Sequence, residues 1–163
     1  MKEIIDKLSS YNLFNYLLPG ILFVAIAKYF TDYNMILENN FIGAFLYYFI
    51  GMVISRFGSL VIEPILKKTK FVKFADYSDF ISASRNDSKI ELFSEVNNTY
   101  RTITAMFCLL LLLKTYNHFD SQYHFAKGIS FGIVITLILL MFLFSYRKQT
   151  RYITKRITKA KTL

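Results

Sequence analysis

The residues that could carry chemistry in this chain of 163 residues are a few charged and amide side chains inside or beside long apolar runs. Arg56 and Glu63 lie seven residues apart in the second run, and so on nearly the same face of a helix. A charged group within a membrane span is costly, and it marks a candidate functional site. We expect Arg56 either to pair with Glu63 or Glu95, or to line a pore. The alternative is that Arg56 extends to the membrane surface, with Glu63 outside the membrane.

Asn15 and Pro19 form a second candidate, in the first apolar run. Proline lacks a backbone N–H and frees the carbonyl group four residues earlier, which here belongs to Asn15. The pair therefore predicts a kink, which is either plain packing geometry or a gating hinge.

A third candidate is a polar stripe on a predicted helix that starts at Lys89. Its members are Glu91, Glu95, Asn98 and Arg101. Apolar residues recur on another face at spacings of three and four, namely Ile90, Phe93, Val96 and Tyr100. We expect the apolar face to pack on a neighbouring helix and the polar face to be solvated. The alternative is that the polar stripe faces a partner, a ligand or a water-filled vestibule.

Basic residues form two clusters that could contact an anionic ligand. They are Lys67, Lys68, Lys70 and Lys73 in one, and Arg147, Lys148, Arg151 and Lys155 in the other. The second cluster opens a tail that has seven basic residues and no acidic one. Such a tail either contacts anionic lipid headgroups or binds a polyanion such as an oligonucleotide, with a steep dependence on salt.

No catalytic constellation is recognisable, and we expect neither an enzyme nor a cofactor. His118, Asp120 and His124 share one loop, but their spacing fits no standard zinc pattern. The single cysteine, Cys108, excludes an internal disulfide and lies in an apolar run.

These residues must be positioned by membrane-spanning helices, because 54% of the chain is hydrophobic and the apolar residues form four long runs. A span needs about 20 mostly apolar residues. We predict an all-α membrane protein with four transmembrane helices. Residues 1–66 form one hairpin with spans at about 13–30 and 41–66, and residues 102–146 form another with spans at about 102–116 and 127–146. A helical cytoplasmic segment, 67–101, joins the hairpins, and a basic cytoplasmic tail, 147–163, follows.

The distribution of Lys and Arg predicts the orientation. Two precede the first span, seven lie between the second and third spans, and seven lie in the tail, so that sixteen of the twenty share one side. Basic residues favour the cytoplasmic side. Both termini are therefore expected in the cytoplasm, and the net charge of +9 is mainly a topology signal.

Small residues recur along the second span and predict close helix packing. They are Ala44, Gly51, Ser55, Gly58 and Ser59. Small residues let membrane helices approach closely, either within one chain or between copies in a homo-oligomer.

The segment between the hairpins is expected to hold two helices, one at about 74–83 and one from Lys89. Asn86, Asp87 and Ser88 are expected to make the turn, and Ser88 with Glu91 fits a capping box. Because no Gly or Pro occurs from Ser88 to Tyr116, the second helix should continue unbroken into the third span.

Three functions are consistent with these patterns. The first is a small homo-oligomeric channel or pore-forming effector, gated from its cytoplasmic segment. The second is a membrane anchor that recruits a cytosolic partner. The third is a transporter subunit, which the lack of an internal repeat disfavours.

Four stretches carry a resemblance to a known group: YNLFNYLLPG at 11–20, YSDFI at 77–81, DSKIE at 87–91 and SEVNNTYR at 94–101. They resemble small four-span effectors of bacterial anti-phage loci, in particular the membrane effector of the Hailong defence system. The resemblance implies a tetrameric, channel-like assembly in the bacterial inner membrane. It also implies a partner nucleotidyltransferase whose oligodeoxyadenylate product holds the assembly closed until infection, when the cell is depolarised.

Overall fold

A computed structural model describes residues 10–161, with the side chains of residues 11–158. Of these described residues 85% are helical and none lies in a strand, which confirms the prediction of an all-α fold. The flanking residues Lys2 and Lys7, used to predict orientation, lie outside the described residues, as do the last two residues of the tail.

Five helices follow one another in the described range. Helix α1 comprises Ser10–Asn12, a π-helical turn at Leu13–Leu17, and Leu18–Phe30. Helix α2 comprises Asn40–Phe57, a second π-helical turn at Gly58–Ile62, and Glu63–Lys68. Helix α3 is Tyr77–Asn86, α4 is Lys89–Tyr123 and α5 is Lys127–Lys161.

Four of these helices are long and apolar enough to cross a membrane: Leu13–Phe30, Asn40–Lys68, Lys89–Tyr123 and Lys127–Thr158. The protein is therefore a multi-pass membrane protein. Helices α4 and α5 have 35 residues each, about 52 Å at 1.5 Å per residue, so both extend beyond a hydrocarbon core of about 30 Å. Helix α4 thus runs unbroken from Lys89 into the third span, as predicted. Helix α5 likewise continues from the fourth span into the basic tail.

Both prolines of the chain follow a π-helical turn by two residues. The Leu18 amide bonds to the Leu13 carbonyl, five residues back, and the Glu63 amide bonds to Gly58 in the same way. Widening the helix by one residue relieves the clash between the proline ring and the preceding turn. The first of these turns, Leu13–Leu17, lies in α1 at the position where Asn15 and Pro19 predicted a kink. The turn before Pro64 was not predicted.

The buried apolar core is built by α1, α2 and α4. Its members are Ala27, Ile54, Ala105, Met106 and Leu110. Helix α5 lies at the edge of this three-helix unit. In its most apolar window only 6% of the residues are buried, against 22–28% in the other three spans.

Helix α3 and the first part of α4 differ from the prediction in three ways. Helix α3 begins at Tyr77 and ends at Asn86, because the Asp76 carbonyl accepts the first helical hydrogen bonds. The predicted capping box is wrong: Ser88 makes no side-chain cap, and Asp87 Oδ1 accepts from the Lys89 amide at 2.9 Å instead. Most of the apolar face of α4 does not pack within the chain, since Phe93 and Tyr100 are each 66% exposed, whereas Ile90 is half-buried.

The loop at 31–39 is tied to the other end of α4. Asn117 Nδ2 donates to Asp32 Oδ2 at 3.0 Å, and the Tyr33 hydroxyl donates to Asp120 Oδ2 at 2.7 Å. Partial burial, and then the bond to the Asp120 carboxylate, raise the pKa of Tyr33. These bonds fix the hairpin between α1 and α2 against α4.

Candidate functional site

A buried polar triad, made of Asn15, Ser55 and Thr102, joins α1, α2 and α4. Asn15 and Thr102 are fully buried, and Ser55 is 3% exposed. Asn15 Nδ2 donates to Ser55 Oγ at 3.2 Å and to the Tyr11 hydroxyl at 3.3 Å. Thr102 Oγ1 donates to Asn15 Oδ1 at 2.7 Å. Both ends of the amide are thus satisfied at a position with no solvent exposure.

The π-helical turn at Leu13–Leu17 contains Asn15. π-Helical turns are rare and often occur at functional sites. Hydrogen bonds between membrane helices contribute about 0.6 kcal/mol each, up to about 2 kcal/mol. The triad therefore holds three spans in one register.

Close packing of α1 against α2 accounts for two glycines. A Cβ atom on Gly51 would overlap the Tyr16 carbonyl oxygen, and one on Gly20 would overlap the Tyr47 carbonyl oxygen. A Cβ on Gly58 would lie 3.2 Å from Ala105 Cβ on α4. The small residues of α2 at these positions thus serve contacts within one chain, whereas Ala44 is exposed.

A cluster of charges centred on Glu63 lies at the end of the bundle where α2 ends. This Glu63 cluster comprises Glu63, Lys67, Arg101 and Lys148. Glu63 is 8% exposed, and its carboxylate lies 2.9 Å from Lys67 Nζ, 2.7 Å from Arg101 Nη1 and 3.6 Å from Lys148 Nζ. One carboxylate thus joins cations from α2, α4 and α5. We call this the basic end of the bundle.

Lys148 has a second partner in α2, because its ammonium group donates to the Ser59 carbonyl at 2.8 Å and to Ser59 Oγ at 2.7 Å. Ser59 lies within the second π-helical turn. This contact is the main polar link between α5 and the rest of the bundle at the basic end.

The Glu63 cluster has more positive than negative charge, with three cations around one carboxylate. Arg101 Nε is buried and has no hydrogen-bond partner among the described residues. The surplus makes this end attractive to anions, and an incoming anion would compete with Glu63 for its cations. Because Arg101 precedes Thr102 directly, the Glu63 cluster and the polar triad sit on the same turn of α4.

Arg56 does not pair with Glu63 or Glu95, which corrects that expectation. Its Nη2 donates to the Tyr16 hydroxyl at 3.4 Å. The ion pairs of Glu63 are instead with the three cations of the Glu63 cluster. Tyr16 in turn packs edge-on against Tyr48, with ring centroids 5.5 Å apart.

The residues of the predicted polar stripe on α4 have different surroundings. Glu91 and Glu95 are exposed on α4. Asn98 is half-buried. Its carbonyl oxygen lies 2.9 Å from Thr102 Oγ1, as a second acceptor for the hydroxyl proton that Thr102 shares with Asn15. The predicted polar stripe is therefore divided: its first half faces outward and its second half meets the triad and the cluster.

The basic residues predicted to bind an anion also divide into two groups. Lys67 and Lys148 are engaged by Glu63, and Lys67 also lies 4.1 Å from the Phe74 ring centroid. The remaining six are exposed: Lys68, Lys70, Lys73, Arg147, Arg151 and Lys155.

Metal-binding groups of His, Cys, Asp and Glu are absent from the part of the chain that the structure describes. Asp120 is engaged by Tyr33.

Two site residues have only weak signals in the sequence. Thr102 is a single hydroxyl at the edge of an apolar run, and its burial depends on which way α4 is rotated. Lys148 lies among other cations, and nothing in its spacing distinguishes it as the partner of Ser59. The strongest sequence signal at this site is Pro64, which directly follows Glu63 and marks an irregular turn of α2 there.

Comparisons of this chain with protein-family models, curated proteins and solved structures find no match.

Proposed function

We propose that the chain is a subunit of a homo-oligomeric, channel-like membrane effector whose basic end responds to an anionic nucleotide ligand. The observation that carries the proposal is the Glu63 cluster, in which one carboxylate holds cations from three helices. The resemblance to anti-phage effectors adds the biological setting: the inner membrane of a bacterium, a tetramer, and control by oligodeoxyadenylate during abortive infection.

The orientation belongs to the same proposal. The basic end carries Lys148, and residues 67–101 hold seven basic residues, Lys67 and Arg101 among them. An excess of Lys and Arg favours the cytoplasmic side. We therefore propose that the basic end, with both termini, faces the cytoplasm, where a nucleotide signal would be made.

Assembly of several copies is supported by an unpartnered face of α4. This α4 stripe comprises Phe93, Val96, Tyr100, Phe107 and Leu111, all of them exposed. It runs over 18 residues, about 27 Å at 1.5 Å per residue, and crosses from the basic end into the span. Lipid tails can cover only the part within the membrane. A second copy covers the whole stripe, and a path for ions then forms between subunits.

Gating is supported by the position of the Glu63 cluster on the long helix α4. A polyanion attracted by the exposed lysines of the segment at 67–73 would compete with Glu63 for Lys67 and Arg101. Arg101 is rigidly joined to Thr102, and Thr102 to the triad that holds α1 and α2. A change at the cluster is thereby coupled to the packing of the spans.

Ion flux from reconstituted liposomes tests this proposal. Wild-type protein is expected to release entrapped potassium, and oligodeoxyadenylate on the basic side to suppress the release. The variant Lys68→Gln/Lys70→Gln/Lys73→Gln should lose suppression. The loss of three phosphate contacts lowers the slope of log affinity against log salt by about 2.

The matched control is Lys28→Gln/Lys114→Gln/Lys127→Gln, which removes three exposed cations outside the basic clusters. It should retain suppression. A wild-type protein that releases no ions, or suppression that survives in the first variant, would count against the proposal.

A second function, a membrane anchor for a cytosolic partner, is favoured by the first part of the α4 stripe. Phe93, Val96 and Tyr100 are exposed at the basic end, where a soluble partner could pack on them. An anchor would conduct no ions and would remain monomeric in lipid.

A further inference from the structure

A groove of about 990 Å³ lies between α5 and the rest of the bundle. Its volume is at the upper end of the range of about 300–1,000 Å³ found for ligand pockets. Apolar side chains from α2 and α5 form most of its walls, among them Phe49, Val53 and Leu137. Phe49 and Phe142 stack across the helix pair with centroids 6.1 Å apart, and Lys148 bonds to Ser59 nearer the basic end.

The apolar part of the groove matches the depth of one bilayer leaflet. Its lining on α5 extends from Val134 to Phe144, a rise of ten residue steps or about 15 Å at 1.5 Å each. This is half of a hydrocarbon core of about 30 Å. One acyl chain of one leaflet can therefore lie along this stretch.

The lining changes from apolar to cationic where that depth ends. Arg147, Arg151 and Lys155 line the groove at intervals of four, and so share one face of α5. All three are exposed, and none forms an ion pair with any other residue between positions 10 and 161. The change falls where the polar headgroup region would begin.

The occupant follows from this combination. A soluble polyanion would use the cations but leave the apolar part of the groove without an occupant. A neutral lipid would use the apolar wall but leave three cations without counterions. A second copy of α5 would add positive charge, since Lys127–Lys161 contains no acidic residue. An acidic phospholipid satisfies both parts.

We infer that the groove binds one acidic phospholipid, with an acyl chain between α2 and α5 and the phosphate group at Arg147, Arg151 and Lys155. Lys148 remains with Ser59 and Glu63. The inference does not rest on channel activity, and it assigns these tail cations to lipid rather than to a nucleotide. The bound lipid fills the space beside α5 that protein side chains leave open.

Fluorescence quenching by brominated lipids tests the inference, because the chain has no tryptophan. Phe49→Trp places a reporter on the groove wall, and Phe131→Trp, which is exposed on α5 away from the groove, reports bulk lipid. Each protein is reconstituted in mixed phosphatidylglycerol and phosphatidylcholine bilayers in which one lipid at a time carries the bromine. The ratio of the two quenching curves gives the relative lipid affinity at each reporter.

Each basic residue near the surface favours anionic lipid by about fivefold. We therefore expect the groove reporter to prefer phosphatidylglycerol by at least about tenfold, and the bulk reporter to show no preference. Arg147→Gln/Arg151→Gln/Lys155→Gln should abolish the preference, and Arg151→Gln alone should reduce it about fivefold. The single variant decides the matter if the triple variant does not fold.

A matched control removes three exposed cations that do not line the groove, with Arg85→Gln/Lys89→Gln/Arg156→Gln. It should retain the preference. Equal quenching by both lipids at the groove reporter would overturn the inference, because the groove would then hold any lipid. Equal loss of preference in the control would also overturn it, because diffuse attraction to the basic end would be sufficient. Absence of quenching at Phe49→Trp would do so as well, because the groove would then be covered by protein.

Discussion

Replacing Glu63 by Gln removes the one negative charge of the Glu63 cluster while keeping the shape of the side chain. Three cations then face one another around an amide. Gln cannot neutralise them, because its amide carries no charge. Water cannot take its place, because the side chain at this position is only 9% exposed. We expect the bundle to lose stability at the basic end.

The magnitude follows from the three contacts. Arg101 is 20% exposed and lies 2.7 Å from the carboxylate, and such a charge-assisted bond contributes about 1.5–3 kcal/mol. Lys67, which is 42% exposed, contributes about 0.5 kcal/mol, as exposed pairs one helical turn apart do. Lys148 at 3.6 Å adds about 1 kcal/mol. The loss is about 3–4.5 kcal/mol, within the range of about 3–5 kcal/mol for breaking a buried pair.

Thermal unfolding of purified protein in mild detergent, followed by circular dichroism, measures this loss. A change of 1 kcal/mol shifts the Tm by about 2–4 °C for a chain of this size, so Glu63→Gln should lower the Tm by roughly 6–18 °C. Glu95→Gln is the matched control, since Glu95 is exposed on α4 and should change the stability by less than about 0.5 kcal/mol.

A double-mutant cycle with Arg101→Gln separates the pair from the rest of the cluster. The coupling between Glu63 and Arg101 should be about 1.5–3 kcal/mol. If the Tm of Glu63→Gln equalled that of Glu95→Gln, the carboxylate would not be holding the helices together, and the reasoning would be refuted.

Three further substitutions test other parts of the structure by the same unfolding measurement. Gly51→Ala should lower the free energy of unfolding by at least about 1–3 kcal/mol, because the new methyl group overlaps backbone of α1. The same change at either glycine of α5 should not, because a methyl group there meets open space. Equal effects would contradict the packing of α1 against α2. Thr102→Val should lower the free energy of unfolding by about 1–2 kcal/mol, because it removes the hydroxyl that donates to Asn15 Oδ1. Thr104→Val, on the exposed face, should be nearly neutral. If Thr102→Val were also neutral, the triad would not be stabilising the bundle. Asp87→Ala should lower the free energy of unfolding by about 1 kcal/mol, because it removes the side chain that caps α4. Ser88→Ala should have little effect. A larger loss in Ser88→Ala than in Asp87→Ala would show that Ser88 is the cap, as the sequence predicted.

Much of the fold is accessible from the sequence because lipid imposes a simple rule on it. Runs of about 20 apolar residues must be helices whose backbone groups bond internally. The first span therefore coincides with Leu13–Phe30. The unbroken helix into the third span follows from the absence of Gly and Pro after Ser88.

The site is less accessible, because it depends on how the helices are rotated about their axes. Spacing places Arg56 and Glu63 on nearly the same face of a straight helix. The π-helical turn at Gly58–Ile62 lies between them, and the extra residue in that turn changes the direction of Glu63 relative to Arg56. Glu63 consequently meets Arg101 and Lys148, and Arg56 meets Tyr16.

The small residues of α2 illustrate the same limit. Their spacing correctly indicates close approach but does not identify the partner helix. In the structure Gly51 meets α1 and Gly58 meets α4, so the contacts between copies have to be sought on the α4 stripe instead.

The symmetry of the purified complex in lipid nanodiscs, determined by single-particle electron microscopy with and without oligodeoxyadenylate, tests the proposed assembly most directly. The account predicts a closed ring of identical chains in which Phe93, Val96 and Tyr100 lie at the subunit contacts, with a different arrangement of the Glu63 cluster when the nucleotide is bound. A single chain per nanodisc, with the α4 stripe facing lipid and solvent in both conditions, would contradict it.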